Sequence, residues 1–109
     1  MPTTYKILAQ SAPAATTETN LYTVPASTSA IISTLTVANR GTDLATYRVY
    51  VAIAGAAATN AQYLVYDANL AGNASVALTL GITLATTDVL RVYASTANFS
   101  FNAFGTQLT

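Results

Sequence analysis

The chain has 109 residues, the length of a single domain, and its four basic and four acidic side chains cancel to a formal net charge of zero. Charged residues make up 7% of the chain, against roughly 25% in an ordinary soluble domain, and neither His nor Cys occurs. These counts exclude a disulfide framework, metal sites built from thiolates or imidazoles, and catalytic triads that need histidine. They also argue against binding to nucleic acid, which needs clustered Lys and Arg.

The dominant hydrophobic period along the chain is two residues, which predicts β-strands. In chain order the strands are expected near residues 5–10, 20–24, 30–38, 46–54, 62–68, 74–80, 88–94 and 98–104. Short polar or glycine-containing segments separate them, and no stretch has a convincing helical period. About eight short strands with frequent turns indicate an all-β, antiparallel β-sandwich, either jelly-roll-like or immunoglobulin-like.

The first part of the chain is expected to differ from the rest. Residues 1–19 are interpreted as an N-terminal arm and linker, and residues 20–109 as the sandwich domain. The segment 11–20 is rich in small and polar residues and contains Pro13, which is typical of a linker. The strand that precedes it could add to the sheet edge of a neighbouring subunit. In the simpler alternative, it pairs within its own sheet.

Strict alternation also assigns side chains to the two faces of each strand. It places Ile31 on the same face as Leu35 and Val37. It places Arg48 and Tyr50 together on one face, whereas Tyr63 and Tyr66 fall on opposite faces of the next strand.

The sequence offers no catalytic residues, and we expect a non-enzymatic protein without metal or cofactor. General acid–base catalysis needs paired carboxylates, but Glu18, Asp43, Asp67 and Asp88 fall in separate elements. Asp67 is interpreted as solvent-facing or paired with an arginine. No glycine-rich phosphate loop is present. The most apolar run, residues 49–58, is about half the length of a membrane helix, so no membrane span is expected, and the first residues do not resemble a signal peptide.

Seven tyrosines are the strongest indication of a binding surface, because tyrosine is enriched at protein interfaces. Ordinary packing inside the sandwich is the alternative for more than half of them. Strand surfaces rich in Thr, Ser, Ala and Asn have few charges to protect their edges, which favours burial in a homo-oligomer or on a scaffold. The candidate interface residues are Tyr5, Ile7, Leu8, Arg48 and Tyr50.

Several segments resemble small virion proteins of tailed bacteriophages, including cyanophages. They are Leu-Tyr-Thr-Val-Pro-Ala at 21–26, the run 30–41 that ends in Asn-Arg-Gly, and the runs 63–67, 78–84 and 88–95. The resemblance implies a non-enzymatic β-sandwich of the virion. Its favoured role is a capsid decoration (cement) protein, a trimer in contact with the major capsid protein or other virion proteins.

Two other roles stay open under this resemblance. One is a component of the tail, neck or fibre. The other is a module that binds host glycans, which the absence of tryptophan makes less favourable.

Overall fold

The computed structural model describes residues 2–109, which form two antiparallel β-sheets packed face to face. The nine strands are β1 (Thr3–Ser11), β2 (Thr19–Thr23), β3 (Ser29–Asn39), β4 (Ala45–Ala52), β5 (Tyr63–Leu70), β6 (Ser75–Leu78), β7 (Ile82–Leu84), β8 (Val89–Ala94) and β9 (Phe99–Leu108). Short 3₁₀ turns lie at Ile53–Gly55 and Asn60–Gln62. The predicted all-β sandwich is confirmed, and β7 is the strand that sequence reasoning missed. Within residues 2–109, no helical segment has the length and apolar character to span a bilayer.

The order of the strands decides between the two sandwich types expected from the sequence. One sheet has the order β1-β9-β3-β6, with β7 also paired to β3, and the other has the order β2-β8-β4-β5. The pairs β1–β9, β2–β8, β3–β6 and β4–β5 are nested, as if one long hairpin had been rolled up. This nesting is the arrangement of a jelly roll.

The core lies between the sheets and is built from alternate residues of the central strands. Phe99 and Phe101 of β9 are fully buried, and the ring of Tyr47 from the opposite sheet packs against both of them, at centroid distances of 6.0 and 6.4 Å. Such aromatic pairs add to the stabilisation that burial of their area provides. Ser100 and Asn102, which alternate with these phenylalanines, are only partly buried.

A β-bulge in β3 changes the face on which Ile31 lies. Ile32 pairs with Gly105 and Thr34 with Phe104, so Ser33 is an extra residue without a partner. The extra residue inverts the alternation, and Ala30 and Ile32 are buried together with Leu35 and Val37. Ile31 is 41% exposed on the outer face, so its predicted place beside Leu35 and Val37 is wrong.

The N-terminal segment is part of the sandwich within the single chain. β1 pairs with β9 from Thr3 opposite Leu108 to Ser11 opposite Phe101, which is the simpler of the two arrangements considered for it. The connection to β2 is also attached, because Pro13 is buried and the Thr16 N–H donates to the Ala94 carbonyl at 2.8 Å. At the other end of β1, the Thr109 N–H donates to the Pro2 carbonyl at 3.1 Å.

The turn after β3 is organised by a buried asparagine. Asn39 is 2% exposed, and its Nδ2 donates to the carbonyls of Asp43 (2.9 Å) and Leu70 (3.0 Å). Its Oδ1 accepts a hydrogen bond from the Gly41 N–H at 3.0 Å. The amide thus satisfies backbone groups of two loops, which burial would otherwise leave unpaired at considerable cost.

Candidate functional site

The outer face of the four-stranded sheet carries a compact group of aromatic and charged side chains. We call it the Arg48 cluster and define it as Arg48, Tyr63, Tyr66, Asp67 and Tyr93. Arg48 lies on β4 directly opposite Tyr93 of β8. On its other side is β5, the edge strand that supplies the remaining three residues.

A second β-bulge brings Tyr66 and Asp67 together. Val65 pairs with Val49 and Ala68 with Tyr47, so these two consecutive residues both stand opposite Arg48. Asp67 adopts a positive φ of 50°, a left-handed conformation that Asp tolerates better than most residues. Consecutive strand residues normally point to opposite faces, and the bulge is what allows both side chains to reach the same guanidinium.

The guanidinium of Arg48 is held on three sides. Its Nε donates to Asp67 Oδ1 at 2.6 Å and its Nη2 donates to Asp67 Oδ2 at 3.2 Å. Its Cζ lies 4.3 Å from the ring centroids of both Tyr66 and Tyr93, within the range of cation–π attraction. The hydrogen bonds to Asp67 raise the pKa of Arg48 and lower the pKa of Asp67. The expectation that Asp67 pairs with an arginine is confirmed.

Tyr63 and Tyr66 meet at nearly a right angle. Their ring centroids are 4.7 Å apart and their planes make an angle of 82°, so the prediction that they lie on opposite faces is wrong. The register also shifts between Val49 and Tyr50, which places Tyr63 opposite Tyr50 with a centroid distance of 4.8 Å. A cavity of about 390 Å³ opens against Tyr63, Tyr66 and Asn60. We call this cavity and its three lining residues the tyrosine corner, a name for this surface alone and not for the hydrogen-bonded motif of immunoglobulin-like folds.

Tyr50 supports this corner from below. It is 2% exposed, and its hydroxyl donates to Glu18 Oε1 at 3.0 Å. Burial is the main cause that raises the pKa of Tyr50, and the bond to Glu18 adds to it.

Arg91 lies beside Tyr50 on β8 and is only 7% exposed. Its Nε donates to Asn20 Oδ1 at 3.0 Å, its Nη1 to the Ala56 carbonyl at 2.7 Å and its Nη2 to the Gly55 carbonyl at 3.1 Å. A carboxylate oxygen of Glu18 lies 3.9 Å away. Arg91 therefore anchors the loop after β4, which leads to the tyrosine corner.

The five residues proposed from the sequence as an interface do not form one surface. Tyr5 and Ile7 are 81% and 53% exposed on β1, while Leu8 packs partly against the core. Arg48 lies in the other sheet, where its guanidinium contacts other members of the Arg48 cluster. Tyr50 is covered by residues of its own chain, which leaves almost none of its surface for a partner.

Sequence reasoning did not single out several exposed apolar side chains. Ile31, Leu64 and Leu80 are 41%, 46% and 46% exposed. Leu64 and Leu80 help to line a second cavity of about 390 Å³, together with Val51 and the segment 81–84. The sequence did not predict that these side chains are exposed, because alternation either places them on a buried face or does not decide between the two faces.

The carboxylates outside the Arg48 cluster are spread over the molecule. Asp88 accepts hydrogen bonds from the N–H groups of Ala54 (3.0 Å) and Ala85 (2.9 Å), so its side chain joins two loops. Residues 2–109 contain no group of three or more His, Cys, Asp or Glu that could hold a metal ion. What the Arg48 cluster and the tyrosine corner offer chemically is ring faces, an amide and hydroxyl groups, which suit binding.

Comparison with protein-family models, curated proteins and solved structures finds no match to this chain.

Proposed function

We propose that this chain is a non-enzymatic structural protein of a phage virion, most specifically a capsid decoration protein that assembles with copies of itself and with the major capsid protein. The resemblance of the sequence to small virion proteins supports the assignment to a phage particle. The observation that carries the assembly role is the combination of exposed apolar side chains at two opposite edges of the sandwich with strands almost free of charge.

The first edge belongs to the five-stranded sheet. Lys6 is the only charged residue in all five of its strands. On the outer face, Tyr5 stands opposite Thr106, and Thr106 stands opposite Ile31. β1 pairs only with β9, so its other side is an open strand edge. Lys6 is the one charge on this edge, and open edges with so few charges readily pair or pack with another chain.

The second edge lies at the other end of both sheets. Here β5 ends the four-stranded sheet, and β6 and β7 end the five-stranded sheet. The cavity lined by Val51, Leu64 and Leu80 opens along this side, with both leucines 46% exposed. We call it the apolar seam.

The two edges are different surfaces of the same molecule. A contact between the first edge of one copy and the apolar seam of the next is head-to-tail, and such contacts close into rings when the rotation permits. A trimer is the smallest ring that a head-to-tail contact can close, because the interface of a two-fold dimer uses the same patch on both copies. Jelly-roll sandwiches recur in virus particles, and the role proposed here depends on these surfaces because a fold alone does not define a function.

Light scattering of the full chain tests the self-assembly. We expect a trimer for the natural sequence and a monomer for Leu64→Lys, which puts a charge into the apolar seam. The matched control is Thr79→Lys, an exposed position next to Leu80 that lies outside the residues lining the cavity. A natural chain that stays monomeric at high concentration overturns the self-assembly part of the proposal.

A map of the intact virion tests the location. A decoration protein is expected in hundreds of copies on the shell, whereas a tail, neck or fibre component would be present in a few to tens of copies. A virion that lacks the chain altogether overturns the structural role.

A further inference from the structure

The tyrosine corner has the geometry of a small ligand site. The ring of Tyr66 is 58% exposed, and the Tyr63 ring stands at 82° to it with a centroid distance of 4.7 Å. Asn60, at the start of the short 3₁₀ turn before β5, completes the lining of the 390 Å³ cavity with an exposed amide side chain. This volume is within the range of about 300–1,000 Å³ that is typical of small-molecule pockets.

The corner is held in place before any ligand arrives. Arg48 lies 4.3 Å from the Tyr66 ring and is itself fixed by two hydrogen bonds to Asp67. The Tyr63 ring packs at a tilt of 43° against the ring of Tyr50, whose hydroxyl donates to Glu18. Rings that are already immobilised lose little rotational freedom on binding, which favours affinity for a small ligand.

The charge and hydrogen-bonding groups indicate the class of ligand. The one cation and one anion of the cluster neutralise each other, so the corner favours a neutral molecule. The faces of the tyrosine rings are electron-rich, so they attract the weakly positive C–H groups of a ligand that packs on them. The Asn60 amide supplies both a donor and an acceptor, and the hydroxyls of Tyr63 and Tyr66 are not engaged in hydrogen bonds with residues 2–109.

We propose that the tyrosine corner binds a neutral saccharide, with the C–H face of one pyranose ring stacked on Tyr66 and its hydroxyls bonded to Asn60 and the tyrosine hydroxyls. Sugars with equatorial hydroxyls fit best, because their ring faces present only C–H groups. A proline-rich peptide also packs on aromatic grooves. The amide and hydroxyls around one short cavity favour the saccharide, which is itself surrounded by hydroxyls.

This inference is distinct from the assembly role. The tyrosine corner and the apolar seam both involve β5, but different residues of that strand line them, Tyr63 and Tyr66 in the corner and Leu64 in the seam. The test is a titration of the isotope-labelled protein with two neutral trisaccharides, cellotriose and N,N′,N″-triacetylchitotriose, followed by amide chemical shifts. We expect saturable shifts confined to residues 60–67 and to the neighbouring part of β4 and β8. The dissociation constant should be on the order of 1 mM, as one small corner permits.

Three variants separate stacking from unfolding. Tyr66→Ala should weaken binding about tenfold or more, equivalent to about 1.4 kcal/mol per factor of ten. Tyr66→Phe keeps the stacking surface and should retain most of the affinity. Tyr5→Ala removes a tyrosine of the other sheet that is even more exposed, 81% against 58%, and should leave the affinity unchanged.

The proposal is overturned if neither trisaccharide shifts these resonances, or if Tyr66→Ala binds as well as Tyr5→Ala. It is also overturned if a decaproline peptide binds at the corner while the sugars do not. Light scattering on the same samples reports assembly separately, so a failure of either proposal can be recognised.

Discussion

Arg48 and Asp67 are joined by two hydrogen bonds across β4 and β5, although Tyr66, the residue directly before Asp67, touches the same guanidinium. The bulge, with Asp67 in the left-handed region, brings both side chains to the guanidinium. The ion pair therefore depends on a local irregularity of the strand, and the tyrosine corner depends on the ion pair.

Replacement of Asp67 by Asn should make the stability of the protein depend less on pH in the acid range, below about pH 4. Arg48 lowers the pKa of Asp67 in the folded protein. A depressed pKa adds stability above the unfolded-state value of about 4, and this stability is lost as the pH falls through the lower folded value. We expect thermal unfolding of the natural chain to shift downward below about pH 4 more steeply than that of Asp67→Asn. Equal slopes for the two proteins would contradict this expectation.

Replacement of Arg91 by Met should destabilise the fold by about 2–3 kcal/mol, because the buried guanidinium makes three charge-assisted hydrogen bonds, to Asn20 and to the carbonyls of Gly55 and Ala56, and all three are lost. Arg40→Met is the control, since Arg40 is exposed and bonded only to Ser100 and Ala97; its effect should be within about 0.5 kcal/mol. Urea unfolding followed by circular dichroism measures both. A loss for Arg91→Met no larger than that of the control would show that the anchor is dispensable.

Alkaline pH should unfold the protein through Tyr50. Its pKa is raised in the fold, mainly by burial, so the folded state keeps the proton that the unfolded state releases near pH 10. The contribution of Tyr50 to the free energy of unfolding is therefore fully present below about pH 10 and falls as the pH rises above that value. Burial also raises the pKa of Tyr47, so both residues contribute.

The variant Tyr50→Phe isolates one of these contributions. It should be less stable than the natural chain near neutral pH by about 1 kcal/mol, since the bond to Glu18 is lost. It should lose less stability than the natural chain between about pH 9 and pH 11. Urea midpoints across that interval measure the difference, and parallel declines would refute the role of Tyr50.

Two glycines should respond differently to alanine. A Cβ at Gly105 would overlap the carbonyl oxygen of Ile31, because the glycine faces the bulge of β3. A Cβ at Gly81 meets no atom within 4 Å, and only its positive φ of 64° resists the change. We expect about 1 kcal/mol for Gly81→Ala and clearly more for Gly105→Ala, measured by thermal unfolding. The reverse order would mean that β3 and β9 separate easily at the bulge.

Much of the fold follows from the sequence, because burial on one face of a strand imposes a period of two. Phe99 and Phe101 illustrate this, since their strand is regular where they lie. Ile31 and Tyr66 illustrate the failures. Each lies within two residues of a bulge, and one extra residue exchanges the faces of everything beyond it. Neither Ser33 nor Asp67 belongs to a residue type that marks a bulge, so pattern reading places their neighbours on the wrong side.

The candidate site was harder to find for the same reason. Arg48 was recognised as a surface residue of interest, yet its partners Tyr66 and Tyr93 come from two different strands. Their meeting depends on pairings that lie far apart in the chain. Alternation places Tyr50 on the same face as Arg48, but in the fold Tyr63 and the segment around Glu18 cover it.

The hydrogen bond between the Pro2 carbonyl and the Thr109 N–H has a practical consequence. Because both ends of the described chain meet at one corner, a short peptide could join them without disturbing either sheet. New ends could then be opened in an exposed loop such as 56–59, giving a circular permutant. A reporter attached at either end of the described chain would also project from the same corner, so the two fusions should behave alike.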